Sequence, residues 1–255
     1  HKPELLREQL LILQDDNFYS QVSIDLVIYK QKRKRYLHCL LSTIKDDRKD
    51  SRFESEHLVE IIIYDVTSRR EVERKAKYEA AHDSLTGLLN RRAGMKALKN
   101  KLQEGHDAHS IYAVLMIDLD AFKPINDEYG HEMGDKALVF LANFLKSHSR
   151  QYDHIVRWGG DEFILICPNL GPKDSLQFAQ RLRKQFFDDE SKWPEHQTLS
   201  IGIHTSLADE NLSAKRLLTG ADKALFLAKE QGKNCVKHYK DSLQTVYVHP
   251  RANNN

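Results

Sequence analysis

Two adjacent glycines followed by two adjacent carboxylates are the residues of this sequence best suited to chemistry. The pair Gly159-Gly160 lies between two apolar runs, Ile155-Val156 and residues 163–167, which predicts a tight β-hairpin. Glycine accepts positive φ at both central positions and leaves the backbone clear for a bulky ligand. Asp161-Glu162 follows at the mouth of the hairpin. Two carboxylates beside bare backbone suggest metal or phosphate chemistry, with an ordinary solvated turn as the alternative.

A second pair of carboxylates ends a predicted strand. Residues 111–119 form a nearly continuous apolar run, as expected for a strand that is covered on both faces. Asp118 and Asp120 lie at its end, which is where sites in α/β proteins are usually found. Helices alternate with strands around the hairpin, and this order predicts an α/β sandwich.

The stretch Gly159-Gly160-Asp161-Glu162-Phe163 matches the signature of the GGDEF family, the diguanylate cyclases, which condense two GTP molecules into cyclic di-GMP. The resemblance extends from about Asp83 to Tyr239. It implies the family fold, a central five-stranded sheet flanked by helices and similar to nucleotidyl cyclase and polymerase palms. The other matching motifs are residues 83–92, 118–123, Asn126-Asp127, Gly130-His131, Gly134-Asp135, 221–225, Lys229 and 232–234.

The resemblance also implies a metal site. Joining a 3′-hydroxyl to an α-phosphate requires neutralised phosphate charge and a nucleophilic oxygen, and Mg²⁺ held by carboxylates and phosphates is the usual solution. The implied ligands of Mg²⁺ (or Mn²⁺) are Asp118, the backbone carbonyl of Leu119, and Asp161. The family's proton acceptor corresponds to Asp161. Because a metal-bound carboxylate is a weak base, Glu162 is an alternative base or a second metal ligand.

Five residues are implied to contact the phosphates. Lys123 corresponds to a position that stabilises charge on the reacting phosphate, although a solvated lysine is the alternative. The backbone amides of Ala121 and Phe122 are expected to cradle phosphate, as turn amides do. Lys229 and Lys233 match a basic pair whose second member is usually arginine. Lysine still binds phosphate as a point charge, so we expect this departure to preserve activity.

Guanine recognition is assigned by the resemblance to Asn126 and Asp135. A carboxylate accepts hydrogen bonds from guanine donors that adenine lacks. Family members that accept ATP for half of the product tend to have serine at the position of Asp135, so this residue favours GTP. His131 lies near the same site, and its alternative role is to pack a turn.

A product-binding site is predicted just before the hairpin. Arg150 and Asp153 form an R-x-x-D motif with five residues between Asp153 and Gly159, which is the family's spacing for an inhibitory site. Arginine can bind a guanine edge or a phosphate with two hydrogen bonds, and aspartate accepts from guanine donors. Arg181, on the following predicted helix, corresponds to a second arginine that the family often supplies.

The N-terminal part of the chain has a different pattern. Residues 17–30, 35–46 and 58–64 are β-rich with short polar connections, which predicts an antiparallel meander. Its last strand ends in Asp65-Val66-Thr67, which resembles the end of a PAS sensor domain. We interpret residues 1–67 as a partial PAS-like sensor or dimerisation segment and assign it no cofactor.

A helix is predicted to join the two parts. Ser68 and Glu71 have the spacing of a capping box, and Glu-before-Lys pairs support a helix over residues 68–82. A solvated spacer is the alternative. The catalytic domain is then expected at 83–240, followed by a flexible tail at 241–255.

Composition narrows the class of protein. The chain has 255 residues, 39 basic and 37 acidic side chains and a net charge of +2, so charge predicts no attraction to nucleic acid or membranes. No apolar run reaches the length of a membrane span. Three cysteines, Cys39, Cys167 and Cys235, lack metal or redox spacing, which predicts free thiols in the cytoplasm.

Two other functions remain open at this point. One is an inactive GGDEF module that only binds cyclic di-GMP, and the other is a cyclase that makes a different cyclic nucleotide. The complete signature and Asp135 favour an active enzyme that uses GTP. Since the reaction consumes two GTP molecules and its product is two-fold symmetric, we expect a homodimer.

Overall fold

A computed structural model of the chain describes residues 21–45, 57–106, 110–189, 197–206 and 213–239. The chain divides into two units, His1–Tyr78 and Glu79–Asn255. This division lies inside the predicted linker helix, while the predicted domain bounds themselves stay predictions. The tail predicted at 241–255, the strand start predicted at 17–20 and residue 46 lie outside the described residues.

The first unit contains the predicted meander. Its strands pair antiparallel in the order β1-β2-β3, and the connection between β1 and β2 is only two residues long. Ile24, Cys39 and Leu41 form its small buried core. The elements are β1 (Gln21–Lys30), β2 (Arg33–Lys45), β3 (His57–Asp65) and the helix α1 (Thr67–Ala81), whose last three residues belong to the second unit.

The predicted capping box at the start of α1 is wrong. The helix begins at Thr67, so Ser68 lies inside it and does not cap it. A carboxylate oxygen of Asp65 accepts a hydrogen bond from the Thr67 backbone N–H at 3.0 Å. The Thr67 hydroxyl oxygen accepts from the Tyr36 backbone N–H at 2.9 Å and so ties the helix start to β2.

The second unit has one mixed sheet in the order β4-β6-β7-β5-β8-β9. The two outer pairs, β4 with β6 and β8 with β9, are parallel, and the inner pairs are antiparallel. Its strands are β4 (Leu89–Asn90), β5 (Tyr112–Leu119), β6 (His154–Arg157), β7 (Glu162–Pro168), β8 (Leu199–Thr205) and β9 (Val236–His238). Its helices are α2 (Arg91–His106), α3 (Phe122–Tyr129), α4 (His131–His148), α5 (Pro172–Asp188) and α6 (Ala214–Glu230).

The α/β class is confirmed, with one correction to the strand count. The sheet has six strands rather than the five expected, because the two-residue β4 pairs with β6 at one edge. A strand of two residues is too short to produce an alternating pattern, which is why no strand was predicted at these positions. The cysteines are free thiols, as predicted, and Cys39 and Cys167 are buried.

Strand β5 belongs to the sheet, which lies between two layers of helices. Successive side chains of β5 point alternately to one helical layer and to the other. Ala113, Leu115 and Ile117 join the core formed with α4 and α5. Val114 and Met116 join the core formed with α2 and α6. This alternation explains the continuous apolar run, and it places Asp118 on the same face as α6.

Helix α6 approaches the sheet closely at Gly202 on β8. A Cβ atom at this position would lie 2.1 Å from the Leu225 backbone nitrogen and 2.2 Å from the Ala221 carbonyl oxygen. Only glycine therefore permits this helix–sheet distance. Among the helices that the structure describes, none is long and apolar enough to cross a membrane.

Candidate active site

The predicted metal-ligand residues meet where β5 ends beside the hairpin of β6 and β7. Asp118 is the Cα partner of Glu162 across the β5–β7 ladder. The Leu119 backbone N–H donates to the Asp161 carbonyl oxygen at 3.3 Å. Asp118 is only 5% exposed, whereas Asp161 and Glu162 are half-buried. Strand register thus brings together two pairs of adjacent residues, Asp118-Leu119 and Asp161-Glu162, that lie more than 40 positions apart in the sequence.

Lys229 reaches this group from α6. Its Nζ lies 2.5 Å from a carboxylate oxygen of Asp118. Two features of the fold produce this contact: Asp118 lies on the face of β5 that is turned toward α6, and Gly202 allows the helix to come close. The sequence suggested Lys229 as a phosphate ligand, and the structure places its ammonium group among the carboxylates.

The charges of this cluster are only partly balanced. The pKa of Asp118 is raised to about 6, mainly because burial disfavours the charged form. Its hydrogen bond and charge interaction with Lys229 lower that pKa, while the nearby charges of Asp161 and Asp120 raise it. Burial lowers the pKa of Lys229, but Asp118 and the charges of Asp161 and Glu162 outweigh burial, so the net shift is upward. A single ammonium group therefore faces several carboxylates.

This donor set fits a divalent cation that also binds phosphate. Within the parts of the chain that the structure describes, no three His, Cys, Asp or Glu residues form a group that could hold a metal by themselves. Asp118 and Asp161 supply two carboxylates, and Leu119 adds a backbone carbonyl. Mg²⁺ is typically held by one or two carboxylates while phosphates and water complete its shell, so a small protein ligand set is sufficient.

The turn between β6 and β7 differs from the predicted one. It has four residues, 158–161, and neither glycine has positive φ. Nothing lies within 4 Å of the position that a Cβ of Gly160 would occupy, and only a Glu162 carboxylate oxygen, at 3.2 Å, lies near that of Gly159. The glycines therefore leave open space beside the carboxylates, and this turn does not require a left-handed backbone.

Arg157 holds the turn in place and was not singled out by the sequence. Its guanidinium donates to the Gly160 carbonyl oxygen at 3.0 and 3.2 Å. It also donates to both carboxylate oxygens of Asp83 at 3.0 and 3.1 Å. Asp83 in turn accepts from the backbone N–H and the hydroxyl of Thr86 at 2.9 and 2.7 Å. The motif that begins at Asp83 is thereby connected to the hairpin turn.

The predicted phosphate cradle follows β5. Ala121 adopts a left-handed conformation, with φ of 61°, at the start of α3. Phe122 packs against the core, and Lys123 is exposed in the first helical turn. The first N–H groups of a helix have no acceptor within the helix, so they are available to an anion. The structure thus places these three residues directly after the Asp118 strand end.

The two predicted guanine-reading residues are neighbours in space. Asn126 lies on α3, and its side-chain oxygen would be 2.0 Å from a Cβ at Gly134 on α4. Because Gly134 has no side chain, the Asn126 amide can pack directly against α4. Asp135 is the next residue and is exposed, as is His131 one turn earlier. The structure brings Asn126, His131 and Asp135 to the junction of α3 and α4.

Asp120 forms a network that the sequence did not indicate. It is 4% exposed and accepts hydrogen bonds from the hydroxyls of Thr198 and Ser200, both at 2.7 Å. Its carboxylate also accepts from the Asn234 backbone N–H at 3.0 Å. Lys233, one residue earlier, is exposed and has a positive φ of 63°. Asp120 thus fixes the turn that presents Lys233.

The R-x-x-D motif forms a turn immediately before β6. An Asp153 carboxylate oxygen accepts from the Arg150 backbone N–H at 2.8 Å, and the Asp153 N–H donates to the Arg150 carbonyl at 3.1 Å. Arg181 lies on α5, with its guanidinium 5.3 Å from the centre of the Phe178 ring. No hydrogen bond or ion pair in the described part of the chain joins Arg181 to the turn, so its place in the product site stays a prediction.

Comparison with known proteins identifies the family. Residues 80–235 match the family model described as "Diguanylate cyclase, GGDEF domain". The chain belongs to the GGDEF family. The match includes the strand end, the hairpin and Lys229, which the fold brings together.

Curated relatives of this GGDEF chain include two from Escherichia coli K12. Diguanylate cyclase DgcM is 35% identical over 175 residues, which cover 69% of this chain and 42% of the relative. Diguanylate cyclase DosC is 34% identical over 181 residues, which cover 70% of this chain and 39% of the relative. The chain therefore spans about two fifths of the length of these relatives.

Solved structures show the same fold. The coiled coil and GGDEF domain of DgcB from Caulobacter crescentus, in complex with c-di-GMP, has a TM-score of 0.63 at 25% identity and covers 68% of this chain and 93% of its own. The active GGEEF domain of a diguanylate cyclase from Vibrio cholerae has a TM-score of 0.57 at 28% identity. This match covers 61% of this chain and 99% of the Vibrio cholerae domain.

We predict that Asp83→Asn destabilises the GGDEF unit by about 1–3 kcal/mol at neutral pH, because it removes the charge that Arg157 and Thr86 bind. Burial raises the pKa of Asp83, but its hydrogen bonds with Thr86 and Arg157 outweigh burial and lower the pKa overall. The stabilisation is therefore present above the unfolded pKa of about 3.9 and is lost as pH falls through the lower folded pKa.

Urea unfolding followed by tryptophan fluorescence measures this effect, because Trp158 lies in the second unit and the first unit has no tryptophan. The matched control is Asp188→Asn, an exposed residue at the end of α5. Equal unfolding midpoints for wild type and Asp83→Asn at neutral pH would contradict the prediction. So would a stability difference that persists unchanged at strongly acidic pH.

Proposed function

We propose that this protein is an active diguanylate cyclase that condenses two GTP molecules into cyclic di-GMP and two pyrophosphates. The observation that carries the proposal is the meeting of Asp118 with the hairpin carboxylates and Lys229 in a GGDEF domain. The named relatives DgcM and DosC, which are diguanylate cyclases, support it. Because GTP is a cytoplasmic metabolite, the proposed reaction takes place in the cytoplasm.

Asp118, the Leu119 carbonyl and Asp161 would hold Mg²⁺ or Mn²⁺. When bound, this ion would neutralise the triphosphate and polarise the reacting phosphate. The partly unbalanced negative charge around Asp118 supports this assignment, since a cation would offset it.

In the proposed step, the 3′-hydroxyl oxygen of one GTP attacks the α-phosphorus of the other. The new phosphoester bond forms as the bond to the pyrophosphate oxygen breaks. The hydroxyl proton passes to Glu162 or Asp161, both of which lie at the hairpin mouth. Repeating the step with the roles of the two nucleotides exchanged closes the ring.

Basic and amide groups would hold the triphosphate during this step. Lys229 would leave Asp118 and bind phosphate, and Lys233 would add a second charge from the turn fixed by Asp120. Lys123 and the backbone amides of Ala121 and Phe122 would complete the cradle.

Asn126 and Asp135 would bind the guanine edge, with His131 beside them. Their common place at the α3–α4 junction supports this role, because the amide and the carboxylate can then contact one base. A carboxylate acceptor discriminates against adenine, whose edge lacks the guanine N1 and N2 donors. The proposed substrate is therefore GTP for both halves of the product.

One GGDEF domain has one such set of residues, whereas the reaction needs two oriented nucleotides. We therefore propose a homodimer with two catalytic domains facing each other across a two-fold axis. Orienting both 3′-hydroxyls toward opposing phosphates contributes several kcal/mol to lowering the barrier.

The first prediction from this function concerns Asp161. Purified protein with GTP and Mg²⁺ should form cyclic di-GMP, identified by mass spectrometry. Asp161→Asn should lower the rate at least about 100-fold, because it removes charge at the reacting phosphates. Asp188→Asn, which removes an equal charge far along the chain on α5, should keep the wild-type rate.

Circular dichroism would establish that the Asp161→Asn variant is folded. A folded variant with near-normal turnover would overturn the assignment of Asp161. Wild-type protein that binds cyclic di-GMP but forms none from GTP would instead favour an inactive GGDEF module that acts as a cyclic di-GMP effector.

The second prediction concerns product inhibition by the turn at Arg150 and Asp153. Arg150→Ala should weaken binding of cyclic di-GMP at least about tenfold, because it removes a forked, charge-assisted contact. Calorimetry measures the affinity, and the product concentration that halves the rate should rise in parallel. Lys173→Ala, an exposed charge on α5, is the control. Equal affinity in wild type and Arg150→Ala would exclude this binding mode.

A further inference from the structure

The N-terminal unit contains a cleft that the GGDEF function does not use. It lies between β2 and α1 and has a volume of about 540 Å³. Four of the seven residues that line it are cationic, one is a tyrosine, and two are glutamates. These residues are Lys34, Tyr36, Arg70, Glu71, Glu73, Arg74 and Lys77.

The charges of the cleft do not cancel. Glu73 is already paired with Arg69 at 3.0 Å, outside the cleft lining, and Arg70 is paired with Asp25. Arg74 and Lys77 form no ion pair with any residue in the described part of the chain. The remaining balance is therefore positive.

Tyr36 lies at the centre of these cations. The Lys34 ammonium is 4.8 Å from the centre of its ring, and the Arg70 guanidinium is 5.3 Å away. The pKa of the Tyr36 hydroxyl is lowered, chiefly by a hydrogen bond with Lys34 and also by the charges of Lys34, Arg74 and Arg70. The two nearest cations interact with the ring, so the cleft offers charge and N–H donors to a ligand and has little room for aromatic stacking.

Cations from two different elements line this cleft, which distinguishes it from an ordinary solvated helix face. Arg70, Arg74 and Lys77 lie three to four residues apart on α1, so they share one side of the helix. The β1–β2 hairpin brings Lys34 to the same place from another element. Like charges gathered in a concavity repel one another, and an anion that bridges them would remove this repulsion.

We propose that this cleft binds a compact polyanion, a small molecule that carries two or more adjacent phosphate or carboxylate groups. The Arg74 guanidinium suits a two-oxygen contact, while Lys34 and Lys77 supply further point charges. The bound anion would connect α1 to β2. This site is independent of the proposed cyclase activity and lies entirely within the first unit.

The test uses the full chain after divalent metals have been removed with a chelating resin, at low ionic strength because salt screens exposed charges. Calorimetry with pyrophosphate and with citrate distinguishes a phosphate ligand from a carboxylate ligand. We expect at least one to bind. The double variant Arg74→Gln/Lys77→Gln should weaken that binding at least about tenfold, and glutamine preserves helix propensity at both positions.

A matched control removes the same charge elsewhere. Lys173→Gln/Lys184→Gln, two exposed positions on α5, should bind as tightly as wild type. The proposal is overturned if neither anion binds, or if both double variants bind as wild type does, which would locate the binding outside the cleft.

One result would replace the small-anion proposal with binding of the cleft to anionic lipid. If neither small anion binds, while vesicles containing phosphatidylglycerol bind wild type and the α5 control but not Arg74→Gln/Lys77→Gln, the cleft contacts membranes and holds no small ligand.

Discussion

The structure of the candidate site depends on one buried carboxylate. Asp118 is the next-to-last residue of β5, and its side chain has almost no contact with solvent. A charge in such a place is costly unless a cation accompanies it, and Lys229 supplies one at 2.5 Å. The central position of β5, the side-chain alternation along it, and the glycine that admits α6 all serve to bring these two groups together.

The remainder of the site is arranged around that strand end. The β5–β7 register sets Glu162 opposite Asp118, and Arg157 anchors the turn that carries Asp161. Directly after β5, Asp120 accepts hydrogen bonds from Ser200 on β8 and from the turn that carries Lys233. Charged groups thus reach the site from β5, from the β6–β7 hairpin, from α6 and from the turn that carries Lys233. Each of these elements is held by a hydrogen bond or by strand pairing. Such support is what keeps reacting groups in a productive geometry.

Much of this arrangement could be predicted from local sequence. The apolar run of 111–119 predicted a central strand, and the spacing of Gly159 to Phe163 predicted the hairpin and its family. The Asp118–Lys229, Asp83–Arg157 and Asp120–Asn234 contacts could not be predicted, because they join residues 111, 74 and 114 positions apart. The prediction for the turn between β6 and β7 was wrong in one respect. The pair Gly159-Gly160 suggested a left-handed backbone, whereas these glycines leave open space beside the carboxylates.

A crystal structure with Mn²⁺ and a non-hydrolysable GTP analogue, using anomalous scattering to locate the metal, is the most direct test of this site. We predict that Mn²⁺ is bound by Asp118 and Asp161 and that the Lys229 ammonium has moved from Asp118 to the phosphates. We also predict that the guanine lies beside Asn126 and Asp135. An analogue bound elsewhere, or Mn²⁺ bound without Asp118 while Lys229 keeps its ion pair, would contradict the central claim.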